Sequence, residues 1–133
     1  MIDMVKGAVA GFLAFVVLDG LWLGVVMKQF YRTQLAPIAR MADGGLAPLW
    51  SVAWLIYVLL GAGVGVFVVP RASGVGHAAV LGAGLGAVVY GVYDLTNYST
   101  LAAWPLAVTI ADIAWGITAT ALASAAVYAV VAR

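Results

Sequence analysis

The sequence has no cysteine, no glutamate and one histidine, and only 8% of its 133 residues are charged. The lack of cysteine excludes disulfides, thiolate metal sites and cysteine nucleophiles. The single histidine, His77, lies at the solvated end of a predicted helix, so we predict neither haem nor metal binding, and the residues identify no cofactor. Carboxylate chemistry falls to five aspartates alone.

The scarcity of charge also excludes a water-facing surface. Soluble domains carry about 25% charged residues, whereas this chain is 66% hydrophobic and its mean hydropathy is +1.14. A net charge of +1 provides no basic surface to neutralise phosphates, so nucleic acid is not a partner. We predict an integral membrane protein whose main partner is the lipid bilayer.

The apolar runs are about 20 residues long and do not alternate with polar residues, which favours helices over barrel strands. They predict four membrane spans, at residues 5–26, 49–69, 75–97 and 104–131. The fold class is therefore all-α, a single-domain four-helix transmembrane bundle. Glycine pairs four residues apart indicate close helix packing in lipid. These pairs are Gly7/Gly11, Gly20/Gly24, Gly61/Gly65 and Gly82/Gly86.

Residues 28–48 form the only sizeable polar segment. Its cations are Lys28, Arg32 and Arg40, with apolar residues between them. On a helix this spacing produces a basic, partly apolar face, which suits a helix lying along the lipid headgroups. An ordinary solvated loop is the alternative.

Three of the acids, Asp19, Asp94 and Asp112, lie in apolar sequence near the ends of predicted spans. With four spans, these particular ends share one side of the membrane. Asp19 lies seven residues before the end of the first span, and Asp112 lies seven residues after Pro105. At 1.5 Å per residue both are roughly 10 Å below the same interface, and Asp94 lies at a similar depth. The sequence therefore predicts one layer of acids.

Acids at this depth normally face protein or a wet cavity. We predict a polar cavity that opens to that side of the membrane and binds a ligand or a proton, with Trp115 as its floor. Arg32 and Arg40 are expected charge partners that reach towards Asp94. The alternative is that each acid only accepts interhelical hydrogen bonds. The predicted ligand- or proton-binding residues are Asp19, Trp22, Tyr90, Asp94, Asn97, Asp112 and Trp115.

The distribution of Lys and Arg residues does not determine the orientation of the chain in the membrane. Three cations fall on the side of the termini and three on the side of the acids, so the positive-inside rule gives a tie. Such a chain can insert both ways and pair with itself, or be oriented by a partner. We expect a homo-oligomer or a subunit of a larger membrane complex.

Five motifs in order resemble a bacterial family of small predicted membrane proteins, the domain of unknown function 2177. The resemblance covers essentially the whole chain, implies four spans in a bacterial inner membrane, and supplies no catalytic residues. The motifs are Asp19-Gly-Leu-Trp-Leu-Gly24, Phe30-Tyr31-Arg32 with Gln34-Leu35, Tyr93-Asp94-Leu95-Thr96-Asn97, Trp104-Pro105-Leu106 and Asp112-Ile-Ala-Trp-Gly116.

Three functions are compatible with these residues. The first is binding or transport of a proton, a cation or a small amphipathic molecule at the acid layer. The second is a membrane-embedded isomerase or cyclase that uses a protonated aspartate as general acid on a lipid or isoprenoid. The third is an accessory subunit that packs its glycine faces against a larger membrane complex.

Overall fold

The computed structural model describes residues 1–132 as four long helices, a short helix and a two-stranded hairpin. The elements of the first half are α1 (Ile2–Leu21), a π-helical turn (Trp22–Val26), α2 (Lys28–Leu35), β1 (Met41–Ala42) and β2 (Gly45–Leu46). The elements of the second half are α3 (Trp50–Gly63), a second π-helical turn (Val64–Val68), α4 (Val75–Thr100) and α5 (Leu106–Val131).

Four helical segments are long and apolar enough to cross a membrane, which confirms the predicted four-helix transmembrane bundle. They run over Ile2–Val26, Trp50–Val68, Val75–Thr100 and Leu106–Val131. The ends of these helices follow from local chemistry. Pro105 has extended backbone and directly precedes α5, and a proline suits a helix start because it has no N–H that would lack a partner there. Leu101 has extended backbone and ends α4.

The segment at residues 28–48 is part helix and part hairpin. α2 covers its first third, and β1 pairs antiparallel with β2, with Met41 opposite Leu46. Asp43 and Gly44 form the turn with positive φ angles of 51° and 75°, the region that favours glycine and tolerates aspartate. The sequence predicted the helix and the turn but not the pairing of the two strands.

Glycines hold α1 against α3. Gly11 faces Gly61 of α3, and Gly7 faces Gly65 of the π-helical turn that continues α3, so the two backbones touch without intervening side chains. In lipid, where no hydrophobic effect drives helices together, such close approach supplies the packing energy. Gly20 and Gly24, by contrast, have no neighbour within 4 Å of where a Cβ would stand, so this pair makes no close helix contact within residues 1–132.

The second helix pair, α4 and α5, packs in the same way. Gly82 rests against the Ser124 hydroxyl, and Gly86 rests against Gly116 and Thr120. Both hydroxyl oxygens are buried without a conventional hydrogen-bond partner, and each faces the Cα of a glycine, the geometry of a weak Cα–H···O contact. α1 also packs against α5 and thereby joins the two pairs.

Replacing Gly61 with alanine should destabilise the bundle. A Cβ at Gly61 would lie 2.6 Å from the Phe12 backbone nitrogen, and the backbone cannot yield as a side-chain end can. We expect a loss of about 1–3 kcal/mol in the free energy of unfolding, as for other overpacked cores. Thermal unfolding of the detergent-solubilised protein measures it.

Gly84→Ala is the matched control, because a Cβ there meets nothing within 4 Å. It should leave the unfolding temperature unchanged or raise it slightly, since alanine favours helix. Equal losses from the two substitutions would contradict the close α1–α3 contact.

Candidate functional site

The three acids that were predicted to lie in one layer are at the same end of the bundle, each on a different helix. Asp19 belongs to α1 and is 8% exposed, whereas Asp94 of α4 is 0% exposed. Asp112 of α5 is half-buried. Asp94 and Asp112 each lie six residues from the membrane-surface end of their helix, a depth of about 9 Å at 1.5 Å per residue.

Asp94 and Asp112 form a carboxyl pair. The Asp94 side chain lies beside the Asp112 side chain, close enough for a hydrogen bond if one of them carries a proton. Both Asp94 oxygens are buried, and no donor of residues 1–132 reaches either of them. A buried acid without a donor is a costly arrangement, so this pair is the chemically exceptional feature of the site.

Tyr31 covers the pair from the membrane surface. Its hydroxyl donates a hydrogen bond of 3.0 Å to Asp112 Oδ1, and the side chain is only 3% exposed. Burial raises the pKa of the Tyr31 phenol, and the charges of Asp112 and Asp94 raise it further. The O–H therefore persists as a donor at pH values at which an exposed tyrosine ionises, above about 10.

Two stacked tryptophans connect Tyr31 with Asp19. Trp22 donates from Nε1 to the Tyr31 hydroxyl at 3.1 Å, and its ring lies parallel to that of Trp115 with centroids 4.4 Å apart. Trp115 Nε1 in turn donates to Asp19 Oδ1 at 2.7 Å. A continuous series of contacts thus runs from Asp19 through the two indoles and Tyr31 to the carboxyl pair.

The remaining predicted residues border this series. Tyr90 packs its ring directly on Gly116, where a Cβ would overlap it, and it lies within electrostatic range of Asp19 and Asp112. Asn97 lies one turn from Asp94 and beside the Tyr93 hydroxyl. Asn97 therefore borders the site and does not satisfy Asp94.

The end of α1 explains how Tyr31 reaches the acids. The π-helical turn at Trp22–Val26 widens the helix, and Met27 leaves helical geometry with φ −115° and ψ 15°. The chain bends there and α2 continues over the end of the bundle, with Tyr31 as its one buried residue. π-Helical turns of this kind occur preferentially at functional sites.

Aromatic side chains border the acids in the region in which the sequence predicted an open polar cavity. Tyr31 and the tryptophan pair cover the acids, because aromatic rings bury large areas and still place their O–H and N–H groups on acceptors. Trp115 is not a cavity floor: it stands between Asp19 and Trp22.

The expected approach of Arg32 and Arg40 to Asp94 is not found, since Asp94 has no partner among residues 1–132. Tyr31 occupies the inner face of α2, and its neighbour Arg32 is rotated by 100° around the helix. Arg40 is exposed beyond the end of α2. In the same part of the chain, no three metal-ligating side chains come together.

Sequence reasoning missed Tyr31 and Tyr57. Tyr57 of α3 lies close to Asp19 and is half-buried. A usable signal existed for Tyr57, because a tyrosine inside an apolar span needs a partner for its hydroxyl. For Tyr31, the signal was its position on the basic, partly apolar helix that was predicted to lie over the acid layer.

Trp115→Phe should destabilise the folded protein by leaving Asp19 without its indole donor. We expect a loss of about 1–3 kcal/mol in the free energy of unfolding, the cost of an unsatisfied buried acceptor. Chemical unfolding in mixed micelles measures it. Trp50→Phe is the control, because Trp50 is 62% exposed; equal effects of both variants would show that the Trp115–Asp19 hydrogen bond contributes nothing.

Comparison with known proteins places the chain in a family but assigns it no activity. No curated protein and no solved structure matches it. The family described as predicted membrane protein (DUF2177) matches residues 4–129. The chain therefore belongs to the DUF2177 family of membrane proteins.

Proposed function

We propose that the protein is a proton-binding membrane protein in which Asp94 and Asp112 hold one shared proton. In this function the proton joins the two carboxyl groups as an O–H···O hydrogen bond. The pair exchanges this proton with the water at the nearer membrane surface. Such exchange lets the occupancy of the pair respond to the pH at that surface.

The observation that carries this proposal is the isolation of Asp94. Both of its oxygens are buried without a donor in residues 1–132, and another carboxyl group is its neighbour. Two ionised carboxylates in contact repel each other, and burial in a bilayer penalises each charge separately. One proton between them removes the repulsion and supplies the missing donor.

Size favours a proton over a larger cation. Asp94 has no exposed surface, so only a proton reaches it without displacement of the aromatic side chains. A metal ion needs several ligands at short distances, and residues 1–132 offer no group of three ligating side chains. An organic cation would have to replace Tyr31.

The surrounding groups suit a proton-binding pair. Tyr31 keeps its proton and donates to Asp112, which leaves the other carboxyl oxygens for the shared proton. Asp19 has its own donor in Trp115, so it does not compete for that proton. The titratable side chains that face the pair are Asp19 of α1, Tyr31 of α2, and Tyr90 and Tyr93 of α4.

Infrared spectroscopy of the protein in lipid vesicles tests the proposal. At neutral pH the wild type should show the C=O stretching band of a protonated carboxyl group, which shifts in D₂O. Asp94→Asn and Asp112→Asn should each remove that band, because the asparagine removes the neighbouring like charge and its amide N–H donates to the remaining carboxylate in place of the shared proton.

Asp43→Asn is the matched control, since Asp43 is exposed at the hairpin turn and asparagine tolerates its positive φ of 51°. This variant should keep the band at full intensity. A wild type without the band, or a band that survives both Asp94→Asn and Asp112→Asn, would refute the shared proton.

A further inference from the structure

The surface above the acid pair is basic and partly apolar. Residues 28–48 contain three cations and one acid, Asp43, so the segment carries a net charge of +2. Lys28 and Arg40 are exposed and Arg32 is half-buried. Because Lys28 and Arg32 are four residues apart, they form one stripe along α2.

Apolar side chains accompany these cations. Ile38 is 40% exposed, Met41 38% and Leu46 39%, and all three lie in the connection that follows α2. A basic stripe beside exposed apolar side chains is the composition of segments that lie in the headgroup region of a membrane. The charge selects anionic headgroups, with about 1 kcal/mol per cation near the surface.

The same helix holds the cover of the acid pair. Tyr31 is the only buried residue of α2, and its hydroxyl binds both Trp22 and Asp112. The non-helical residue Met27 separates α2 from the rigid span before it. Within residues 1–132, Tyr31 makes the side-chain hydrogen bonds that join α2 to the bundle, so a displacement of α2 changes the Tyr31–Asp112 hydrogen bond.

We infer that α2 docks on anionic lipid headgroups through Lys28, Arg32 and Arg40, and that this docking holds Tyr31 over the carboxyl pair. Anionic lipid thereby slows the exchange of water and protons with Asp94 and Asp112. The docking surface stands on charge and exposure alone, whereas its effect on proton exchange rests on the proposed proton site.

Amide hydrogen exchange of residues 28–35 tests the docking. The full chain is reconstituted in vesicles of phosphatidylcholine alone and of phosphatidylcholine with phosphatidylglycerol. Exchange should be slower in the anionic vesicles. Lys28→Gln/Arg32→Gln should reduce this protection by about 25-fold, which is about 5-fold for each cation removed. Raised salt should remove it in the wild type, since screening shortens the electrostatic range.

The charge-matched control is Lys6→Gln/Arg71→Gln, which removes two cations from the opposite end of the bundle. It should leave the exchange of residues 28–35 unchanged. The docking surface is refuted if exchange is the same in both vesicles, or if both double variants accelerate it equally.

The link to the acid pair needs a second readout, the rate at which the infrared carboxyl band shifts after transfer into D₂O. Anionic lipid should slow this shift in the wild type but not in Lys28→Gln/Arg32→Gln, and Tyr31→Phe should accelerate it in both vesicles. If the rate of the band shift is the same in both vesicles while the amide exchange shows that α2 docks, the link between docking and the acid pair is overturned. Absence of the carboxyl band would refute the proton site instead. The amide exchange of residues 28–35 would still show whether α2 docks on anionic lipid.

Discussion

The arrangement of this end of the bundle depends on one constraint, which is that a buried carboxyl group in a membrane needs a donor. Asp19 and Asp112 obtain theirs from Trp115 and Tyr31. Asp94 obtains none from residues 1–132 and lies against Asp112. Asp19, which Trp115 satisfies, is an acid that joins helices by accepting a hydrogen bond. Asp94 departs from that pattern.

The glycine contacts between helices determine where the groups of the site lie. Close packing of α4 on α5 at Gly86 and Gly116 brings Asp94 and Asp112 side by side, and the absence of a side chain at Gly116 makes room for Tyr90. α1 packs on both α3 and α5, so it carries Asp19 and Trp22 to the same place. Helix packing therefore sets the distances between the polar groups.

The fold and the position of the three acids at one end of the bundle could be predicted from the sequence, because both follow from hydropathy and a fixed rise per residue. The hydrogen-bond partners of the acids could not be predicted from the sequence. The Tyr31–Asp112 hydrogen bond joins residues 81 positions apart, and it depends on a π-helical turn and a bend at Met27 that no periodicity signals. Because Tyr31 takes the inner face of α2 after this bend, Arg32 points away from Asp94. The predicted approach of Arg32 to Asp94 considered charge alone and not the direction of the helix.

The central claim concerns the proton of the carboxyl pair, and solid-state NMR of the protein in lipid vesicles with ¹³C-labelled aspartate addresses it most directly. The account predicts that Asp94 and Asp112 together show one protonated carboxyl group at neutral pH, with a proton resonance typical of a strong O–H···O hydrogen bond. Two fully ionised carboxylates, with no proton resonance between them, would contradict it.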